Sequence, residues 1–345
     1  MNYPQQAPFF NALAIASFGD YRKLDRYYKK HGGDWAAAWN SEPRTITPEH
    51  AWRQLEKTGV KLALREDEDF PASLREIPLA PFGLYIKEGA GEHSALRCDR
   101  SVAIVGTRKA SGSGEQLAHE FSTAAVGASL TVVSGLALGI DAAAHRGAIE
   151  AGGQTVAVMA CGLDDVYPKH HAQLAENILA AGGQLVSEYP LGAPALPRRF
   201  LERNRIINGL CAATLVIEAP ERSGSLATAR FALEQNREVL VVPGSAKHIN
   251  YKGSHRLIRA GAQLVVEPQH MLEVLGSQDE NDRSLVESAE PEERTIIDLL
   301  RASNGALTID KIAQLTKLDI RVVNEAVMLL TIRDAVKETA RGYTI

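Results

Sequence analysis

Apolar and polar positions change rhythm twice along the chain. Up to about Leu62 the pattern is that of a small helical region. From Val102 onward, short apolar runs rich in β-branched residues alternate with longer helical patterns. Val102–Val105, closed by Gly106, reads as a buried parallel strand. Glu115–Val126 reads as a helix and Leu130–Val133 as a second buried strand, after which Ser134, Gly135 and Gly139 lead to a helix opening at Ile140. The rhythm continues through strands Gln154–Met159, Gln184–Ser187, Thr214–Glu218, Glu238–Val242 and Gln263–Val266. Between them lie helices around Gln173–Ala181, Phe200–Cys211, Gly224–Gln235 and Ser254–Ala260. Such alternation predicts an α/β fold with a doubly wound, mainly parallel sheet. Ahead of it, prolines break Asp67–Gly89, and Gly83–Ile86 is expected as an edge strand. After it, 276–291 is acidic, serine-bearing and poor in apolar residues, which reads as a linker. A helix over Glu292–Arg301, a second capped by Thr308, a third from Ile320 and a hairpin pairing Val336–Glu338 with Tyr343–Ile345 make a winged-helix pattern. The expected domains are therefore 1–62, 63–275 and 292–345, with the linker at 276–291.

Composition narrows the function. A hydrophobic fraction of 45% and a charged fraction of 23% over 345 residues fit ordinary soluble domains with ample core. A formal charge of −4 excludes a general polyanion binder, so any nucleic-acid site is a local basic patch. Three cysteines without a CxxC pair suit a reducing cytoplasm and give no metal signature. The first residues lack the charge and apolar run of a secretory signal, and no apolar run is long enough to span a bilayer.

The candidate chemistry sits on the loops that follow strands. A right-handed crossover places the Gly106–Ser111 loop and the Ser134–Gly139 loop at the carboxyl ends of neighbouring strands. Backbone N–H groups and two helix N-termini there make a seat for anions, and Arg108 and Lys109 add positive charge. The first loop lacks the Gly-Lys-Ser/Thr ending of a Walker A motif. It also lacks the spacing and the ribose-binding carboxylate of a dinucleotide fingerprint, so no nucleotide cofactor is expected. Lys169 lies in the loop after the third strand. Leu196–Ile206 carries Arg198, Arg199, Arg203 and Arg205 against a single acid, Glu202, and guanidinium forks suit phosphate. Arg222-Ser223-Gly224-Ser225 is a further small-residue loop opening a helix, and Lys247 and Lys252 follow in the last long loop. Basic residues interleaved with tyrosines over Leu13–His31 read as a solvated face with the rings packed beneath. Two functions compete: a single-stranded-DNA-binding protein without chemistry, and a nucleotide-processing enzyme of the nucleoside-monophosphate hydrolase type. No paired carboxylates or Cys/His pair has catalytic spacing, and His170, His171 and Glu188 read as structural. A winged-helix regulator is a third reading, weakened because Arg321 is offset by Asp319 and Glu325 on the third helix.

Several motifs, in this order, resemble the DNA-processing protein A family (DprA, also called Smf). They are Gly106-Thr-Arg108-Lys-Ala-Ser111, Ser134-Gly135-Leu-Ala-Leu-Gly139-Ile140-Asp141, Tyr167-Pro168-Lys169, Arg203-Asn204-Arg205-Ile206-Ile207, Arg222-Ser223-Gly224-Ser225-Leu226 and Val242-Pro243-Gly244. The resemblance is close over roughly Phe70–Leu275. It implies an extended Rossmann-like domain that binds single-stranded DNA, a SAM-like helical domain before it, a homodimer through the Rossmann domain, and partnership with the RecA recombinase in natural transformation. Carried over by position, Gly106, Arg108, Ser111, Ser134, Gly135, Gly139, Lys169, Arg203, Asn204, Arg205, Ser223, Gly224 and Ser225 are the expected phosphate-binding residues. Asp141 is expected to cap its helix or orient Arg108. His171 and His255 stand where the family pattern has asparagine.

Overall fold

Residues 6–41, 46–89, 100–276, 290–302, 307–332, 336–339 and 342–344 are described by the computed structural model. Four helices come first: α1 (Ala7–Ser17), α2 (Tyr21–His31), α3 (Trp35–Asn40) and α4 (Pro48–Glu56). Asp20, Asp34 and Thr47 cap the last three by accepting the N–H groups of Lys23, Ala37 and His50. Their apolar sides meet around Trp35, whose ring lies 5.0 Å from Phe10, 5.7 Å from Tyr28 and 5.5 Å from Phe82. The tyrosines of α2 thus pack beneath a solvated basic face.

The chain then forms β1 (Lys61–Leu64), the short α5 (Ala72–Arg75) and β2 (Gly83–Glu88) before the alternation begins. β3 (Ser101–Val105), α6 (Gly112–Gly127), β4 (Thr131–Ser134), α7 (Ile140–Glu150), β5 (Thr155–Val158), α8 (Ala172–Ala180) and β6 (Gln184–Ser187) follow. After them come α9 (Pro197–Gly209), β7 (Ala213–Val216), α10 (Gly224–Glu234), β8 (Glu238–Val241), α11 (Lys252–Arg259), β9 (Gln263–Leu264) and α12 (Pro268–Val274). One sheet runs β1-β2-β6-β5-β4-β3-β7-β8-β9. From β6 through β5, β4, β3, β7 and β8 to β9 the strands are mutually parallel, while β2 pairs antiparallel with both β1 and β6. Every residue of β3, β5, β6 and β7 is buried, because helices cover both faces.

Two expectations change. No strand was expected across the boundary between the helical region and the sheet domain, yet β1 spans it and forms one outer strand of the sheet. In consequence β2 is not an edge strand: it pairs with β1 on one side and β6 on the other. Pro71, Pro78 and Pro81 all precede β2, so its own N–H donors are free to bond on both sides. The helices and the sheet belong to one compact unit, Met1–Leu275.

The order of the sheet decides where a ligand can sit. From β3 the chain moves outward through β4, β5 and β6, then α9 returns it to place β7 on the other side of β3. The loops leaving β3 and β7 therefore diverge to opposite faces and open a crevice between them.

The second unit is Gly276–Ile345. Its helices Pro291–Ala302, Ile309–Thr316 and Ile320–Ile332 bury Ile296, Ile297, Leu300, Ile312, Val323, Ala326, Val327 and Leu330 together. Thr308 caps the second by accepting the Lys311 N–H, and Lys337–Thr339 pairs antiparallel with Gly342–Thr344. The linker expected over 276–291 lies almost wholly outside the described residues.

His145 on α7 is fully buried, with Nδ1 2.8 Å from the Thr155 hydroxyl. Thr155 donates its own proton to the Val132 carbonyl, so the imidazole must donate from Nδ1. Nε2 is then a bare nitrogen without a partner among the described residues. Burial, reinforced by the charges of His171, Arg203 and Arg146, pushes the ring's pKa down to about 3. The unfolded chain takes up a proton near pH 6.5 that the folded chain refuses. The stabilisation is complete above that pH and is lost as pH falls toward the folded value. Melting temperature is expected to drop between about pH 7 and 5, and less so in His145→Leu. An equally steep drop in the variant would assign the effect to other groups.

Candidate nucleic-acid interface

The crevice between the β3 and β7 loops is a cleft of about 560 Å³. Gly106 to Lys109 form one wall, Arg222 to Ser225 the other, and Phe200, Arg203 and Asn204 of α9 form the floor. Tyr167, from the loop after β5, reaches the rim.

Arg108 is exposed, with its guanidinium stacked 4.7 Å above the Phe200 ring. Phe200 is in turn 5.4 Å from Tyr167. Stacking fixes the plane of the guanidinium while leaving its N–H edges free, the arrangement that suits a phosphate fork. Lys109 and Arg222 are also exposed, and neither side chain makes an ion pair among the described residues. Ser223 is the N-cap of α10 but makes no side-chain cap; the Leu226 N–H donates to the Ser223 carbonyl at 3.3 Å, and the N–H groups of Gly224 and Ser225 stand where the helix start lines the cleft. The Ser223 and Ser225 hydroxyls bond each other at 2.6 Å.

Asp141 is the sole carboxylate among the lining residues. It accepts the N–H groups of Gly135 at 3.1 Å and Ala137 at 3.4 Å. Burial raises its pKa, while Arg203, those two N–H groups and Arg108 pull it back. Its negative charge is thus held by backbone beneath the cleft rather than presented to a ligand. It organises the turn that follows β4: its side chain accepts from Gly135 and Ala137 and makes no cap at the start of α7, where Gly139 is the N-cap.

Several expected phosphate contacts prove to be parts of the frame. The Ser134 hydroxyl is fully buried and donates to the Ile104 carbonyl at 2.7 Å, tying β4 to β3. Gly135 gives its N–H to Asp141, and its missing side chain is where the Arg203 guanidinium lies: a Cβ there would come within 2.4 Å of Nη1. Gly139, at φ +75°, opens α7 against the Thr107 carbonyl, where a Cβ would come within 2.5 Å. Ser111 caps α6 through the Gly114 N–H, and both its N–H and its hydroxyl donate to the buried Glu218 carboxylate. None of these four lines the cleft.

The arginines of α9 divide in the same way. Arg199 is buried and donates to the carbonyls of Pro194 and Phe18. Arg205 is buried in an ion pair with the equally buried Glu188 and lies 5.8 Å over the Tyr21 ring, away from the cleft. Arg203 touches the cleft floor, yet its Nη1 donates to Gly135 and Val158 carbonyls and its Nε to the Asn204 amide oxygen. Burial pushes its pKa down to about 10, with Asp141 opposing. Only Arg198 is exposed. The arginine excess around Glu202 therefore signals internal clamps more than a phosphate comb.

Lys169 is exposed on a short 3-10 turn two residues from Tyr167, outside the lining, and pairs with Asp165. An exposed i,i+4 pair is worth about 0–1 kcal/mol, so a phosphate can take the lysine from it. His171 and His255 have local duties: their rings lie 2.9 Å from the Leu136 carbonyl and 3.1 Å from the Gly244 carbonyl. Sequence reasoning missed Phe200 and Glu218. The aromatic lay inside the arginine segment, and the carboxylate ended a strand; neither stood out by spacing. Among the described residues no cluster of His, Cys, Asp and Glu could hold a metal ion, and no helix is long and apolar enough to cross a membrane.

The division into frame and site has a thermal signature. Arg203→Ala removes a guanidinium that satisfies two buried carbonyls, and is expected to cost about 3 kcal/mol or more. Arg108→Ala is expected to stay within about 0.5 kcal/mol of the parent. Denaturant unfolding of both variants checks this, and equal losses would contradict it.

Comparison with known proteins places residues 61–276 in the sequence model of DNA recombination-mediator protein A. Protein Smf of Escherichia coli (strain K12) is 42% identical over 221 residues, covering 64% of this chain and 58% of that one. The chain thus aligns with less than two thirds of that relative's length. DNA processing protein A from Streptococcus pneumoniae superposes with a TM-score of 0.62 at 32% identity, over 78% of this chain and 92% of that chain. DNA processing protein A from Helicobacter pylori, whose structure was solved to explain its single-stranded DNA binding mode, superposes with a TM-score of 0.56 at 26% identity, over 63% and 95%.

Proposed function

Because the chain belongs to the DNA recombination-mediator protein A family, we propose that it binds single-stranded DNA in the β3–β7 cleft and delivers it to the RecA recombinase during natural transformation. One observation carries the DNA reading. Three exposed cations, Arg108, Lys109 and Arg222, face a cleft whose only carboxylate is held inside by backbone N–H groups. The Arg108–Phe200–Tyr167 stack adds aromatic surface beside the phosphate seats, which suits unpaired bases and tolerates any sequence. The Helicobacter pylori relative, named for binding single-stranded DNA, supports the same choice of ligand. Delivery to RecA and a homodimer through the sheet domain follow from the resemblance, and the balance of Arg321 against Asp319 and Glu325 assigns the C-terminal winged helix to partner contact or modest help in DNA binding. The protein acts by binding, without chemistry on the strand. Release of base from nucleoside monophosphates would instead support the hydrolase reading.

Binding is expected to favour single strands over a duplex of equal length. Affinity should fall with salt at a log–log slope of about −0.7 per phosphate contact. Equal affinity for both at one salt concentration would refute the reading. Arg108→Ala and Lys169→Ala are each expected to weaken binding about tenfold on every sequence, from a charge-assisted contact of about 1.5 kcal/mol, without loss of fold. Fluorescence titration with unrelated oligonucleotides checks this, and wild-type affinity in both variants would displace the site.

The fragment 1–276 should keep most of the affinity of the full chain, since the cleft lies wholly within the first unit. A folded fragment that has lost binding would move the principal site to the C-terminal unit.

A further inference from the structure

A second basic feature adjoins the cleft and has no part in it. From Val239 to Val266 the chain contains no aspartate or glutamate, but it contains Lys247, Lys252, Arg256 and Arg259. The whole chain has 42 acidic residues against 38 Lys and Arg, so this stretch runs opposite to the net charge. Lys247, Lys252 and Arg256 are exposed, and none makes an ion pair among the described residues. Lys252 and Arg256 are one turn apart on α11 and share a face.

The segment is braced rather than loose. Gly244 packs against the Tyr251 ring so closely that a Cβ would come within 2.4 Å of it. The His255 ring bonds the Gly244 carbonyl at 3.1 Å, and the His248 ring accepts the Asn250 N–H at 3.3 Å. Nor is it remote. The Asn250 side-chain amide donates to the Lys109 carbonyl at 3.1 Å and to the Glu218 carboxylate at 2.9 Å. The Gly253 N–H donates to the Ala219 carbonyl at 2.8 Å, directly beside Pro220 and Arg222 of the cleft wall. Unpaired positive charge therefore continues from Lys109 and Arg222 onto the Lys247–Arg256 segment.

We propose that this acid-free segment is a second contact surface for the same single strand: DNA leaving the cleft past Lys109 and Arg222 lays its backbone phosphates on Lys247 and Lys252. This rests on the single-stranded DNA reading of the cleft. The charge is complementary, the path is continuous, and the fixed loop presents the two lysines without a folding step. The charges that face solvent there are lysine and arginine, so the contact is to phosphate and indifferent to sequence.

The test is a length series of oligothymidylates titrated against the full chain and K247A/K252A. Wild-type affinity is expected to keep rising after the cleft is filled. The double variant should bind the shortest oligonucleotides within about twofold of wild type but lose about tenfold on long ones, with a salt slope smaller by about 1.4. A control, K23A/K30A, removes two exposed lysines of α2 and should leave the length dependence unchanged. The proposal is overturned if K247A/K252A matches wild type at every length, if it loses equally at every length, or if the control loses as much on long strands. Wild-type binding to the shortest oligonucleotides, and its loss in Arg108→Ala, reports separately on the cleft.

Discussion

The structure depends on one buried guanidinium. Arg203 reaches from α9 beneath the carboxyl ends of β4 and β5 and donates to the carbonyls of Gly135, at 2.7 Å, and Val158. Those carbonyls have run out of strand partners just where the chain must turn, and only a long, multidentate donor can serve both from a helix. The nearby charge of Asp141 offsets much of the burden of holding a cation in the interior. Its position also fixes α9, and α9 carries Phe200 and hence Arg108. A site residue on the surface is set in place by a chain of contacts that begins in the core.

The sheet supplies the rest. Reversal of strand order at β3 opens the crevice, and the parallel arrangement points the β3 and β7 loops and the α10 N-terminus into it. That arrangement makes a seat for anions. It requires loops short enough to stay fixed and acids kept out of reach. Glu218 shows how the second condition is met, since its carboxylate accepts from Ser111 and Asn250 and is fully buried.

Much of this was legible in the sequence, for identifiable reasons. Strands buried on both faces write themselves as unbroken β-branched runs, so the parallel strands were recognisable, though several ended a residue or two earlier than their apolar runs. β1 was not, because Lys61–Leu64 is a four-residue edge strand whose exposed and buried positions resemble the end of a helix. β2 was misplaced because nearby prolines suggested an edge, while pairing depends only on residues inside the strand. The loops were legible as glycine-rich turns after strands. The fate of individual side chains within them was not: Ser134, Ser111, Arg199 and Arg205 have the right chemistry for phosphate and are consumed by carbonyls and carboxylates distant in sequence. A composition rich in arginine states that donors are present; only the fold states which acceptors lie within reach.

The helices before the sheet gain a meaning from the same clamps. Arg199 donates to the Phe18 carbonyl, where the chain leaves α1, and Arg205 lies over Tyr21 at the start of α2. α9 is therefore a party wall, with the β3–β7 cleft on one side and the helical region on the other. If the cleft is the DNA site proposed above, genetic lesions near Phe18 or Tyr21 would be scored as defects of nucleic-acid handling although neither residue lines it. A screen that sorted variants by phenotype alone would draw the boundary of the binding site too wide on that side.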